Sequence, residues 1–231
     1  MNAEPPAPSR IRWLLVAWIA VIGAISYLDR VNISIAGQFI AQQFHLTNQQ
    51  LGLVFSGFPV GYTLFQIPGG SLADRFGPRK VLAFGALWWA VFTSLTASVP
   101  AGIIGALLLF CVVRFLLGAG ESVMYPSSNR WLADWMPTRE RGLANGIIFA
   151  GVGIGSAITP PIIAGVMIRY GWRASFHVCA ALGLFGGLIW LVLARNQPAR
   201  HPWVNGAERE LIEKGIEGRT AAKAPRLPWP V

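Results

Sequence analysis

The chain is poor in the residues on which most soluble chemistry depends: of its 231 residues only 13% are charged, three are histidine and two are cysteine. A soluble domain carries charge at about a quarter of its positions. A chain with 54% hydrophobic residues and a mean hydropathy of +0.50 belongs instead in a bilayer. Cys111 and Cys179 fall in separate apolar runs with no metal-ligand spacing, so neither a disulfide framework nor a metal site is expected, and no cofactor. His45, His177 and His201 lie in separate segments and do not put two imidazoles on one helix face, so an intramembrane enzyme lacks its ligand set. His177, inside an apolar run, reads as a satisfied bundle residue. A channel would need a filter-like loop within a span, and there is none.

What the sequence does have is apolar stretches. Hydropathy predicts six spans, roughly residues 13–38, 51–72, 81–99, 102–127, 142–168 and 174–194. Most approach or exceed the ~20 residues that cross ~30 Å of hydrocarbon. The expected organisation is an all-α polytopic membrane protein: a cytoplasmic N-terminus (1–12), a six-helix transmembrane bundle (13–194) and a cytoplasmic tail (195–231). The first span is too long, with Asp29 and Arg30 near its end, to be a cleaved signal peptide.

The net charge of +9 is explained by orientation. With the N-terminus inside, fifteen of the 19 Lys and Arg fall in inside segments, only Arg169 and Arg173 lie outside, and Arg30 and Arg114 are within spans. The positive-inside rule then puts both termini in the cytoplasm, here of an inner membrane, and the basic excess does not signal nucleic acid. Trp13, Trp88, Trp89, Trp131, Trp135 and Trp172 cluster near span ends, where indoles anchor in the headgroup layer.

A repeat underlies the six spans. Arg75-Phe76-Gly77-Pro78-Arg79 and Arg169-Tyr170-Gly171-Trp172-Arg173 share the pattern Arg, aromatic, Gly, any, Arg at an offset of 94 residues. Three spans are thus followed by three related spans. An odd number of crossings per unit inverts the second copy, giving a 3+3 inverted repeat of the kind found in secondary transporters.

Four ionisable residues sit inside predicted spans: Asp29 and Arg30 in the first, Arg114 and Glu121 in the fourth. Each is costly in hydrocarbon, which makes them functional candidates. Arg114 and Glu121, two turns apart, share one helix face, with Gly118 and Gly120 between them permitting close approach. Asp29 and Arg30, consecutive and about 100° apart around the helix, point in different directions. A buried carboxylate favours its neutral form and a nearby arginine opposes that. Arginine offers a fork suited to a carboxylate ligand. The expectation is that Arg30 grips an organic anion with help from the Tyr62 hydroxyl, Asp29 and Glu121 carry coupling protons, and Arg114 tunes Glu121. The alternative is that the four charges only tie spans one and four together.

Gly70-Ser71-Leu72-Ala73-Asp74-Arg75-Phe76-Gly77-Pro78-Arg79-Lys80, between spans two and three, resembles the signature loop of the major facilitator superfamily. Tyr27 to Asn32, Gly61-Tyr62 with Gln66 to Gly70, Arg114-Phe115 with Gly118 to Glu121, Arg141-Gly142, and Trp203-Val204-Asn205 before Glu208-Arg209-Glu210 resemble its anion:cation symporter branch. The resemblance implies proton-coupled symport of an organic anion such as a sugar acid. It implies a division of labour like the one above, with Asn32 among the solute-binding residues. It also implies gating by the signature loop, chiefly Asp74 and Arg75, with Gly70, Gly77 and Arg79. Arg79 and Lys80 serve in part as topology charges.

Family members have twelve helices in two halves, so the chain reads as the N-terminal half, ending in the inter-half linker, with one short helix over Glu208–Ile216. Its expected partners are a small organic anion, a proton, the lipid bilayer and a C-terminal half or second copy. Two readings stay open: a half-carrier completed by another polypeptide, or a truncated, transport-inactive fragment. The choice among aldonates, hexuronates, aldarates and aromatic acids, and between proton and sodium, also stays open.

Overall fold

The computed structural model describes residues 7–217, and among these there is no strand. Two of the membrane helices begin on a recognisable start signal. Helix α1 spans Ile11–Phe44. Helix α2 (Asn48–Phe76) opens on a capping box, in which the Thr47 hydroxyl accepts from the Gln50 amide and the Gln50 side chain accepts from the Thr47 N–H. Helix α3 (Pro78–Ala97) opens on a proline, which lacks the N–H that a first turn leaves unpaired in any case.

Helix α4 (Ala106–Glu121) gives way at Ser122 and Val123 to α5 (Met124–Trp135). The cause is Pro126, which cannot donate to the Ser122 carbonyl four residues back. The fourth predicted span is therefore two helical pieces meeting directly after Glu121.

Helix α6 runs Arg141–Leu193, and its 53 residues would measure roughly 80 Å, far more than one crossing needs. It is two limbs, 141–170 and 172–193, meeting at Gly171, whose φ of 81° and ψ of 166° are non-helical. Six crossings result, as the apolar runs predict. Helices α1 and α2 extend past the predicted spans, α1 by two residues at its start and six at its end, because helical hydrogen bonding continues into polar flanks where hydropathy no longer signals it. Helix α3, by contrast, ends two residues early and α4 starts four residues late.

The repeat is visible atom by atom. Gly77, 94 residues before Gly171, has the matching backbone (φ 85°, ψ 139°). The arginine two places after each glycine reaches the end of the other unit's third helix. The Arg79 guanidinium donates to the Leu191 carbonyl, and Arg173 Nη2 donates to the Val99 carbonyl at 2.9 Å. A cation at a helix C-terminus satisfies orphan carbonyls and opposes the helix dipole.

The glycines at the two helix seams follow the same offset. A Cβ on Gly57 or Gly61 of α2 would collide with the backbone of α4 at Cys111 or Phe115, and one on Gly151 or Gly155 of α6 with α1 at Ala20 or Ala24. Gly118 on α4 likewise abuts the Phe58 carbonyl of α2. These contacts are the small-residue seams that drive helix association where lipid offers no hydrophobic gain. Pro160 and Pro161 sit inside the first limb of α6 without ending it.

The tail is docked on the bundle. Helix α7 (Gly206–Glu217) buries Glu208 and Ile212. The Glu208 carboxylate accepts from the Ser9 hydroxyl, from the amides of Ile11 (3.0 Å) and Arg12 (3.1 Å), and from the Arg12 guanidinium (3.0 Å). It therefore caps the start of α1 across 196 residues of sequence. Arg12 also pairs with Glu140 at 2.9 Å, and the Gly215 carbonyl accepts from the Thr138 amide. The short helix expected at Glu208–Ile216 is thus present but is anchored rather than free on the surface. Residues 1–6 and 218–231, with Arg219, Lys223 and Arg226, lie outside the described residues.

Two outcomes follow from this packing. Gly61→Val should lower unfolding stability in detergent by about 1–3 kcal/mol through overpacking. Gly146→Ala, whose Cβ would meet nothing within 4 Å, should be neutral or slightly stabilising; equal behaviour of the two would refute the seam.

Burial pushes the Glu208 carboxyl up, but the Ser9 hydroxyl, the Arg12 and Ile11 amides and the Arg12 guanidinium outweigh it and hold it below the ordinary glutamate value. The clasp is therefore fully stabilising above the unfolded value of 4.5 and weakens as pH falls through the lower folded value. Hydrogen exchange of the α7 amides, corrected for intrinsic rates, should accelerate below about pH 4.5. In Glu208→Gln it should be fast already at pH 7 and nearly flat with pH.

Candidate functional site

Helices α1 and α4 bring the four intramembrane charges to one place. Asp29 and Arg30 do point apart, as consecutive helical residues must. Asp29 turns toward α3, where its Oδ2 accepts from the Thr93 hydroxyl at 2.9 Å, and Arg30 turns toward α2 and α4. Arg30 Nε and Nη2 both donate to Glu121 Oε1, at 2.9 and 2.6 Å, which makes an ion pair across the α1–α4 contact. The Arg30 side chain keeps 25% of its surface exposed, whereas that of Glu121 keeps 1%.

Three rings surround the Arg30 guanidinium: Tyr27 at 4.9 Å, Phe58 at 4.9 Å and Tyr62 at 4.7 Å from carbon to ring centroid. Phe58 and Tyr62, one turn apart on α2, are stacked. Cation–π attraction strengthens when the cation is partly desolvated, as here. Phe58 also lies 5.1 Å from the Arg114 guanidinium, so one ring separates the two arginines.

Arg114 is buried, and its Nε and Nη1 have no hydrogen-bond partner among the described residues. It lies within electrostatic reach of Asp29, Glu121 and Arg30. Asp29 Oδ1 and Glu121 Oε2 are also buried without a partner. Most buried polar groups find a partner, and a buried unpaired one is costly. Three of the four charges here keep such an atom, so they do not form a closed set of ion pairs.

The sequence-predicted residues are distributed as follows. Arg30, Tyr62, Glu121, Arg114 and Asp29 converge. The partner hydrogen-bonded to Glu121 is Arg30, not Arg114, which shared its helix face. Asn32 turns away: its Oδ1 accepts from the Ser175 hydroxyl at 2.7 Å and its Nδ2 faces Cys179 Sγ at 3.6 Å, buried against the second limb of α6. Tyr27, Phe58 and Thr93 join the site without having been singled out. Tyr27 carried a signal, lying three residues before Arg30 and hence on its face of α1. His177 is satisfied, as expected, here by the Ser94 hydroxyl at 3.0 Å.

The signature loop sits at the far end of the same helices. Asp74 Oδ1 pairs with Arg130 Nε on α5 at 3.1 Å, and Arg130 also holds Asp134 at 2.7 Å. Arg75 lies over its neighbour Phe76, and Gly70 faces Pro126. Gly77 and Arg79 are held against Asn196, whose side-chain oxygen accepts from the Arg79 amide at 3.1 Å. The Asp74–Arg130 pair is exposed and weak and can break readily, whereas the Arg79 contacts are part of the repeat's scaffold.

Comparison with known proteins accords with this geometry. The model of the Major Facilitator Superfamily matches residues 19–230. A probable sulfoacetate transporter of Cupriavidus necator is 39% identical over 95% of this chain and 50% of its own length. A probable galactarate/D-glucarate transporter of Escherichia coli K12 is 33% identical over 94% of this chain and 51% of its own. The chain thus spans about half the length of the curated relatives it matches. The inward-open xylose transporter of E. coli superimposes on 93% of this chain and 58% of its own, with a TM-score of 0.73 at 16% identity. That likeness establishes the fold.

Removing one member of the buried pair should cost more than removing both. Glu121→Leu alone leaves Arg30 facing a low dielectric and should destabilise by roughly 3 kcal/mol, while Arg30→Met with Glu121→Leu should recover part of that loss. Additive losses in reversible unfolding would show that the two residues do not interact.

Proposed function

The chain belongs to the Major Facilitator Superfamily, and we propose that it is the N-terminal half of a secondary active transporter for a small organic anion, such as a sugar acid or a sulfonated acid, coupled to protons. The observation that carries the reading is the placement of Arg30: a partly exposed guanidinium, caged by three rings and held by a single oxygen of Glu121. The names of the relatives, for sulfoacetate and for galactarate and D-glucarate, support an anionic solute with carboxylate or sulfonate groups.

In this mechanism the solute competes with Glu121 for Arg30. An arriving carboxylate takes the guanidinium fork in bidentate fashion. Glu121, losing its cation inside a low dielectric, is stabilised by taking up a proton, so anion and proton load together. Arg114, close by and with Nε and Nη1 unpaired, favours the return of the charged form once the anion has left. Asp29, tethered to Thr93, serves as a second proton-bearing carboxylate. The Tyr62 hydroxyl assists in solute binding, and Asn32 serves by positioning α1 against α6.

Asp74 and Arg130 form a latch that breaks as the halves rock, and Arg75, Gly70, Gly77 and Arg79 set the geometry of that turn. Both termini and the docked tail lie on the cytoplasmic side of the inner membrane. The cavity is completed by a second six-helix half, from another polypeptide or a second copy.

The test is solute uptake by proteoliposomes containing the chain joined to such a half. Arg30→Ala should reduce uptake at least tenfold without reducing membrane insertion, whereas Glu121→Gln should keep anion exchange and lose proton-driven accumulation. Normal uptake by the first variant, or full accumulation by the second, would refute the assigned roles. Uptake by the chain alone would show that a second copy suffices.

A further inference from the structure

An open apolar groove of about 550 Å3 runs between α2, α3 and the α4–α5 junction, and none of the four central charges lines it. Phe65, Leu72 and Phe76 line it from α2, Phe84 and Trp88 from α3, and Leu116 from α4. Trp88 lies directly over Gly120, where a Cβ would overlap the indole, and its Nε1–H donates to the Leu116 carbonyl at 2.7 Å. The indole's polar atom is therefore satisfied, and the groove beneath the mouth is suited to hydrocarbon.

The groove's depth identifies its occupant. Lys80, Phe84 and Trp88 follow at intervals of four on one face of α3, a rise of roughly 12 Å, and Phe65 to Phe76 on α2 covers roughly 16 Å. These lengths match one leaflet of a ~30 Å hydrocarbon core, whereas a transmembrane helix from a partner would need the full thickness.

The mouth is basic. Lys80 lines it, and Arg75 lies beside it at the end of α2 with its guanidinium over Phe76. Both are exposed, and neither has an acidic partner among the described residues, unlike Arg130, Arg209 and Lys214. A pair of free cations at the edge of an acyl-length groove complements a phosphate at headgroup level.

We propose that this groove binds an anionic phospholipid of the leaflet bordering the α2–α3 turn, with an acyl chain along Phe84 and Trp88 and the headgroup phosphate on Lys80 and Arg75. Gly120 and Val123, which line the groove, flank Glu121 and the break between α4 and α5. An occupant therefore braces the segment that carries the buried carboxylate.

Native mass spectrometry of the purified chain with equal amounts of phosphatidylglycerol and phosphatidylcholine tests this, and it reads lipid retention whether or not the chain transports. Retained lipid should favour phosphatidylglycerol by roughly tenfold, and Arg75→Gln with Lys80→Gln should abolish that preference. Leu72→Trp, which fills the groove and leaves the cations, should lower retention of both lipids, and inorganic phosphate should displace neither. Equal retention of the two lipids, a preference surviving the double substitution, unchanged retention in Leu72→Trp, or displacement by phosphate would each overturn the proposal.

Discussion

A charge buried in hydrocarbon has to be compensated within a few ångströms, and this constraint organises the middle of the chain. Arg30 is compensated by Glu121 from another helix and by the faces of three rings. Asp29 has one hydroxyl and the field of Arg114, and Arg114 has a ring and the field of nearby carboxylates. The compensation is closest for the Arg30–Glu121 pair, where one carboxylate oxygen of Glu121 still has no partner, and looser for the rest. A site built only for stability would have closed its bonds or replaced the ions with leucine. Partial compensation instead leaves buried polar atoms without partners, which is what the proposed exchange of a protein partner for an anion or a proton requires.

The inverted repeat brings the charges to that spot. Helices α1 and α4 are equivalent members of the two units. Each is pressed by a glycine seam against the second helix of the opposite unit, α4 against α2 and α1 against the first limb of α6. The third helices are tied end to end by Arg79 and Arg173. A fold held by backbone contact and by bonds at its helix ends leaves its centre free to carry functional groups. The charge clusters at the ends differ in kind: Glu208 is enclosed and accepts four hydrogen bonds from Ser9, Ile11 and Arg12, of which Arg12 makes two, while Asp74 is exposed and lightly held.

Much of the architecture was legible in the sequence. Apolar runs give the crossings because the bilayer imposes their length, and the recurring Arg, aromatic, Gly, any, Arg pattern exposed a repeat whose glycines share a positive φ. The identities of the four central charges were legible for the same reason: nothing polar persists in hydrocarbon by accident. Their partners were not. Helical spacing can pair Arg114 with Glu121 on one helix, but the Arg30–Glu121 bond joins residues 91 apart and depends on how closely Gly118 lets α4 approach α2. Asn32 differs from Arg30 by two residues, about 200° around the helix, and hydropathy does not say which side meets α6. The capping of α1 by Glu208 was equally hidden, since its partners lie at opposite ends of the chain.

The central claim is that the Arg30–Glu121 pair opens when an anion arrives and that Glu121 then takes a proton. Infrared difference spectroscopy of the chain reconstituted with a second six-helix half, on adding an organic dicarboxylate, addresses it directly. Opening of the pair with proton uptake by Glu121 should give a new protonated-carboxyl stretch that is absent in Glu121→Gln. A spectrum with no such band, or a band that persists in that variant, would contradict it.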